Sequence, residues 1–253
     1  MTVRFKQLHQ SFFILPNAWN PKSALRFQQQ QFPAVATSSA AVANSLGYED
    51  GEAMPFSAYL FIIQRILNTV TIPLTVDMEM GYGETNEAIY ANVRKLAELG
   101  VAGINMEDSN IQSNERVLKN ASSFAETIAF IKSNLTNDHL DLFINMRCDT
   151  YLLNVANKQA ETLVRIPLYE AAGADGIFLP CISAEADIAE AVNSTTLPIN
   201  VMCIPGLPDF EILKTLGVKR VSMGPFLFNR VYDSITSLSQ QITAANNFSP
   251  LFA

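Results

Sequence analysis

The chain has 253 residues, 49% of them hydrophobic and only 16% charged, which suits a packed core and argues against disorder. Its formal net charge of −7 gives no electrostatic footprint for nucleic acid or an anionic membrane, so neither is an expected partner. The three cysteines, Cys148, Cys181 and Cys203, lack CxxC spacing, which disfavours a disulfide framework or a zinc site and fits a reducing cytoplasm.

In chain order, Arg4, Lys6 and His9 come first and no long apolar run follows them, so neither a signal peptide nor a membrane span is expected. From there one unit recurs: a short apolar strand, a polar end, then a helical segment. The candidate strands are 12–19, 34–39, 74–79, 103–108, 142–147, 176–181, 199–203 and 220–224. Helical periodicity between them is clearest at 86–99, where Ile89, Val93 and Leu96 fall on one face, and at 124–135 and 184–192. Gly100, Gly173 and Gly217 each stand just before a strand, where a glycine closes a helix without steric cost. Strands alternating with helices predict a parallel sheet, and eight such strands in a chain of this length predict an α/β fold of the closed (β/α)8, TIM-type class. A doubly wound open sheet is the structural alternative. No linker or charge block divides the chain, so a single barrel domain over 1–253 is expected, with a C-terminal helix and a tail (246–253) used in oligomer packing.

A parallel barrel carries its active site at the C-terminal ends of its strands. The third strand ends Asp77-Met78-Glu79, the fourth Asn105-Met106-Glu107-Asp108, and the fifth Asn145-Met146-Arg147-Cys148-Asp149. Alternation puts Asp77 with Glu79, Asn105 with Glu107, and Asn145 with Arg147, while neighbouring strands lie about 4.8 Å apart. Asp77, Glu79 and Glu107 are therefore expected to converge. Clustered carboxylates need a cation, and oxygen-only ligands favour a hard one, Mg²⁺ with Mn²⁺ as an alternative. Arg147 suits bidentate capture of a carboxylate or phosphonate, a role compatible with an internal salt bridge to Asp149 or Glu107. Ser38, Ser39 and Ala40 begin a helix, where hydroxyls and N–H groups bind anionic oxygens, although Ser-Ser is equally an ordinary N-cap. Asp50, in the turn 47–51, is placed to reach the metal's water shell or to cap its own turn. His9 and His139 lie away from the strand ends, and Cys148 and Cys203 read as buried apolar groups, with Cys181 the thiol nearest a strand end.

These segments resemble the isocitrate lyase/phosphoenolpyruvate mutase superfamily. The matching text is Leu15-Pro16-Asn17-Ala18-Trp19-Asn20-Pro21, Ala36-Thr37-Ser38-Ser39, Gly47-Tyr48-Glu49-Asp50-Gly51, Asp77-Met78-Glu79-Met80-Gly81-Tyr82-Gly83 and Gly103-Ile104-Asn105-Met106-Glu107-Asp108-Ser109, with Asn200-Val201-Met202 and the segment from Gly217 to Pro225 later. The resemblance implies a Mg²⁺-dependent barrel that makes or breaks C–C or C–P bonds beside a 2-oxo acid or enolate. It implies Asp77 as the direct metal ligand and Asp50, Glu79 and Glu107 as the acids around its water shell. It also implies Ser38 with the Ser39 and Ala40 N–H groups as the carboxylate and enolate-oxygen site, Arg147 as the substrate-carboxylate arginine, and Asn200 as a further polar contact. A small carboxylate substrate and a homo-oligomer, dimer or tetramer, follow from the same resemblance. The lyases of the superfamily carry a Lys-Lys-Cys-Gly-His loop after the fourth strand; here 109–116 has neither its cysteine nor its lysines, and the asparagine-serine loop of the phosphonomutases is not matched clearly either, Asn110 and Asn114 being the candidates to substitute. The leading expectation is a Mg²⁺-dependent lyase or hydrolase of small 2-oxo or 2-hydroxy (di)carboxylates. The alternatives are C–P chemistry on phosphonopyruvate-like substrates and a non-catalytic metal- and carboxylate-binding barrel.

Overall fold

Parallel strands close around the molecule in a computed structural model that describes residues 1–113 and 115–252. The strands are β1 (Phe13–Leu15), β2 (Asn17–Ala18), β3 (Val35–Thr37), β4 (Leu74–Asp77), β5 (Gly103–Glu107), β6 (Ser109–Gln112), β7 (Glu115–Leu118), β8 (Phe143–Arg147), β9 (Gly176–Leu179), β10 (Ile199–Met202) and β11 (Arg220–Ser222). Nine of them form one parallel sheet in the order β1-β11-β10-β9-β8-β5-β4-β3-β2. The two ends of that order, β1 and β2, are consecutive pieces of one strand broken at Pro16, which has no N–H for a ladder. One piece pairs with β11 and the other with β3, so the sheet closes into the expected eight-stranded barrel and the open-sheet alternative falls. The expected strand at 12–19 is thus two strands.

Helices follow the strands, and those expected at 86–99, 124–135 and 184–192 appear as Asn86–Glu98, Ala121–Asn137 and Glu185–Asn193. The three closing glycines adopt φ of +87°, +95° and +92°, values that side chains rarely tolerate. Outward-facing strand residues such as Val76, Ile104, Ile144, Ile177 and Val201 pack under the helices in one large core. A second, smaller core fills the N-terminal end of the barrel, where the helix Thr2–Leu8 inserts Phe5 among Phe13, Leu15, Ala34, Ala36, Ala102 and Phe143. No helix among the described residues is long and apolar enough to cross a membrane.

Two elements departed from expectation. The N-terminal helix was not anticipated, because only Phe5 of its residues is buried and one apolar position makes no periodicity. The segment 109–116, expected as a loop, belongs to an antiparallel hairpin of β6 and β7. Asn114 lies outside the described residues.

Candidate active site

The strand ends and the loops after them surround a cavity of about 210 Å³. Asp77, Asn105 and Arg147 enter it from β4, β5 and β8, Asp50 from the turn after the helix Ser39–Ser45, and Arg116 from β7. Ser38, Ser39 and Ala40 line another side, and Phe178, Pro180, Leu152 and Met202 supply an apolar wall.

Several of these polar groups are tied down. Ser39 donates its hydroxyl to Asp77 Oδ2 at 2.9 Å, while the Asp77 N–H donates to Thr37 Oγ1 at 3.0 Å. Burial raises the Asp77 pKa, with Arg147 and the Ser39 hydrogen bonds pulling the other way. Arg147 donates Nε to Asp149 Oδ1 at 2.6 Å and sets Nη1 2.7 Å from Glu107 Oε2. Burial disfavours its charge, but Asp149 and Asp77 outweigh burial and push its pKa up. Glu107 also pairs with Arg116, which reaches Ser109 Oγ at 3.1 Å as well. Asp108, on the other face of β5, turns outward to Arg165 Nη1 (2.9 Å) and Tyr169 Oη (2.7 Å).

Comparison with known proteins now decides the family. The profile described as phosphoenolpyruvate phosphomutase matches residues 5–243. The chain belongs to this family. An uncharacterised protein of Mycobacterium tuberculosis is 35% identical over 224 residues, covering 88% of this chain and 82% of its own length. A 2-methylisocitrate lyase of Aeropyrum pernix is 26% identical over 192 residues, 74% of this chain and 59% of that enzyme. Among solved structures, that of a proposed phosphonomutase from Burkholderia cenocepacia superposes with a TM-score of 0.88 at 32% identity, covering 94% of this chain and 98% of that one. Family and relatives point to an enzyme of the phosphoenolpyruvate mutase/isocitrate lyase superfamily.

Within this phosphoenolpyruvate phosphomutase-type barrel, the expected site residues divide. Asp77, Asp50, Arg147, Ser38, Ser39 and Ala40 share the cavity. Glu79 and Glu107 do not line it, and no group of three or more metal-capable side chains occurs among the described residues. Of the three acids expected together, Asp77 lines the cavity, while Glu79 and Glu107 lie behind its lining, each held by partners of its own. β4 ends at Asp77 and Glu79 takes φ +49°, so strand alternation no longer governs it; it accepts from the Glu52 N–H (2.9 Å) and Tyr82 Oη (2.8 Å) instead. Glu107 pairs with Arg116 through Oε1, and its Oε2, 2.7 Å from Arg147 Nη1, is buried without a hydrogen bond of its own. The serines also differ in detail: Ser38 Oγ accepts from the Ala41 N–H as an N-cap, and Ser39 serves Asp77. Asn200 is fully buried, does not line the cavity, and donates Nδ2 to Asn145 Oδ1. Asn110 lines a different cleft, with Glu52 and Lys119.

A hard divalent cation still fits these residues. Burial, then Asp50 and Asp77, raise Glu79 to about 7, the mark of acids crowded with too little countercharge. Asp77 and Asp50 on one cavity match the habit of Mg²⁺, which takes one or two carboxylates and keeps waters. No thiol competes for it: burial raises the pKa of all three cysteines, and none lines the cavity. Sequence reasoning missed Asn105 and Arg116 as cavity residues; the parity of Asn105 with Glu107 on β5 was the available signal for the first. For Arg116 there was none, since the hairpin that delivers it has no alternating apolar pattern.

Proposed function

We propose that the protein is a Mg²⁺-assisted lyase or hydrolase, with Mn²⁺ as an alternative metal, that breaks a C–C bond in a small 2-oxo or 2-hydroxy dicarboxylate through an enolate. One observation carries this reading: Asp77, Asp50 and Arg147 face one cavity of about 210 Å³. That is below the ~300–1,000 Å³ usual for ligand pockets, which favours a compact diacid. Arg147, held by Asp149 and Glu107, presents its remaining guanidinium edge to a substrate carboxylate. The Ala40 N–H, in the first turn of its helix, has no carbonyl four residues back and is a second anion contact. Asp50 is the cavity carboxylate placed to take or return a proton. The apolar wall excludes water around the reacting atoms. A divalent cation held by Asp77 and Asp50 would supply Lewis-acid polarisation of the 2-oxo oxygen. Three free cysteines and the absence of a membrane-length helix among the described residues suit a cytoplasmic enzyme, and a homo-oligomer is the expected assembly.

C–P chemistry is the second reading, favoured by the 32% identity to the Burkholderia protein. A panel of 2-oxo and 2-hydroxy diacids and phosphonates, incubated with and without Mg²⁺, separates the two by the release of pyruvate-type products or phosphate. The expected result is metal-dependent cleavage of a diacid, reduced about a hundredfold in Asp77→Ala, roughly 2.7 kcal/mol of barrier. Cleavage that ignores Mg²⁺, or full activity in Asp77→Ala, would overturn the reading. Metal-dependent oxalate binding without any turnover would identify a binding barrel instead.

A further inference from the structure

Below the cavity the barrel is filled by polar groups where an apolar layer is usual. Asn105, Asn145, Asn200 and Arg220 come from β5, β8, β10 and β11 at matched register, Asn105 beside Asn145 and Asn200 beside Arg220. Arg220 is 1% exposed, and none of the ion pairs among the described residues includes it. Burial lowers its pKa to about 9, with Asp77 opposing the shift.

The neighbour beneath Arg220 is neutral. His9 Nδ1 faces the Phe5 carbonyl at 3.0 Å, which can only accept, so Nδ1 carries the proton and Nε2 turns its lone pair to Arg220 Nη1 at 3.5 Å. Burial, then Arg220, hold the His9 pKa down at about 3. A guanidinium can only donate, and this one donates Nη2 to Asn105 Oδ1 at 3.1 Å. That fixes the orientation of everything bonded to Asn105. Asn145 Nδ2 donates to the same oxygen at 2.9 Å, and Asn200 Nδ2 donates to Asn145 Oδ1 at 2.6 Å. Gly176 makes room for the chain, since a Cβ there would stand 2.7 Å from Asn145 Oδ1.

One end of the chain is sealed and the other open. Asn200 Oδ1 is buried without a partner, as are Thr75 Oγ1 and Arg220 Nε. Asn105 Nδ2 has no protein acceptor among the described residues, yet it is not among the sealed atoms, because Asn105 lines the cavity. We propose that Asn105 is a substrate contact whose Nδ2 donates to an anionic substrate oxygen from the cavity floor, and that Arg220 is the positioning residue that keeps its amide turned this way. The floor then favours substrates that place an acceptor, a carboxylate or enolate oxygen, at that point over those that place an apolar or donor-only group there. The inference rests on the small-oxoacid reading of the cavity above.

The probe is oxalate in the presence of Mg²⁺, its affinity measured by calorimetry. Asn105→Asp keeps both acceptor bonds, gives Arg220 a counter-charge and replaces the N–H by an oxygen; Asn105→Leu removes the N–H without adding charge. Both are expected to weaken oxalate at least about tenfold, the usual effect of one charge-assisted hydrogen bond, with Asn105→Asp melting no lower than wild type. Arg220→Gln leaves the cavity lining unchanged but lets the amide turn, so it should weaken oxalate too, while Arg220→Lys, a donor only, should restore it. Wild-type affinity in either folded Asn105 variant overturns the proposal, and wild-type affinity in Arg220→Gln removes Arg220 from it. Asp77→Ala and Arg147→Ala serve as controls: if neither affects oxalate, the reading of the cavity has failed, whereas loss in both with intact binding in the Asn105 variants defeats this inference alone.

Discussion

Glu79 is the residue whose environment is most at odds with its charge. Its pKa is raised by burial, and next by Asp50 and Asp77, from 4.5 to about 7. The folded protein therefore holds a proton that the unfolded chain releases between those values. Stability from this group is complete below the usual carboxyl pKa and is lost as pH rises toward 7. Glu79→Gln keeps the shape and never ionises. Its melting temperature relative to wild type should climb between about pH 5 and pH 8 without metal, and a constant difference would refute the raised pKa. The sequence made half of this site legible. Asp77 and Arg147 stand at true strand ends, where period-two alternation holds, and they reach the cavity. Glu79 does not, because its left-handed φ comes from the turn beyond the strand, and no local pattern announces it. Glu107 has the right parity but was claimed by Arg116, a partner delivered through tertiary structure.

At the scale of elements, glycine punctuation and apolar periodicity located the strands and helices, since both are local signals. What escaped were elements whose reason for existing is elsewhere in the molecule. The helix Thr2–Leu8 buries one side chain completely: Phe5, with ring centroids 5.4 Å from Phe143 and 6.4 Å from Phe13 in edge-on geometry. Beside it His9 stacks on Phe143 at 4.3 Å. Phe5→Ala should cost about 3–5 kcal/mol of unfolding free energy in a denaturant titration, the range for emptying a packed aromatic site. A loss under about 1 kcal/mol would mean that this helix does not close the barrel's lower end.

The whole molecule leaves a run of apolar groups uncovered along its last helix and tail. Val231, Tyr232 and Ile235 are 40%, 45% and 53% exposed, and Phe248 and Phe252 are 68% and 85% exposed. Trp19 and Phe27 border the same helix across an apolar groove. We propose that a second copy of the chain covers this face, as expected for a dimer or tetramer; large uncovered apolar patches mark interaction sites. Light scattering should give a mass at least twice the monomer's, and Tyr232→Glu with Ile235→Glu should return it to one copy. A monomeric wild type would end that idea.

Pro16 has a consequence of another kind. Because it breaks the first strand, the barrel's seam depends on Asn17, whose Nδ2 donates to the Thr37 carbonyl at 2.9 Å and whose Oδ1 receives the N–H groups of Met223 and Gly224, both at 2.9 Å. The partners on the far side lie 206 and 207 positions away. On the ribosome, the first strand emerges about 200 residues before β11 exists to meet it. Until then the growing sheet has two bare parallel edges, the kind of surface that pairs wrongly when left exposed. The seam that completes the cavity wall at Asn17 and Gly224 is thus the last part of the barrel that synthesis makes possible.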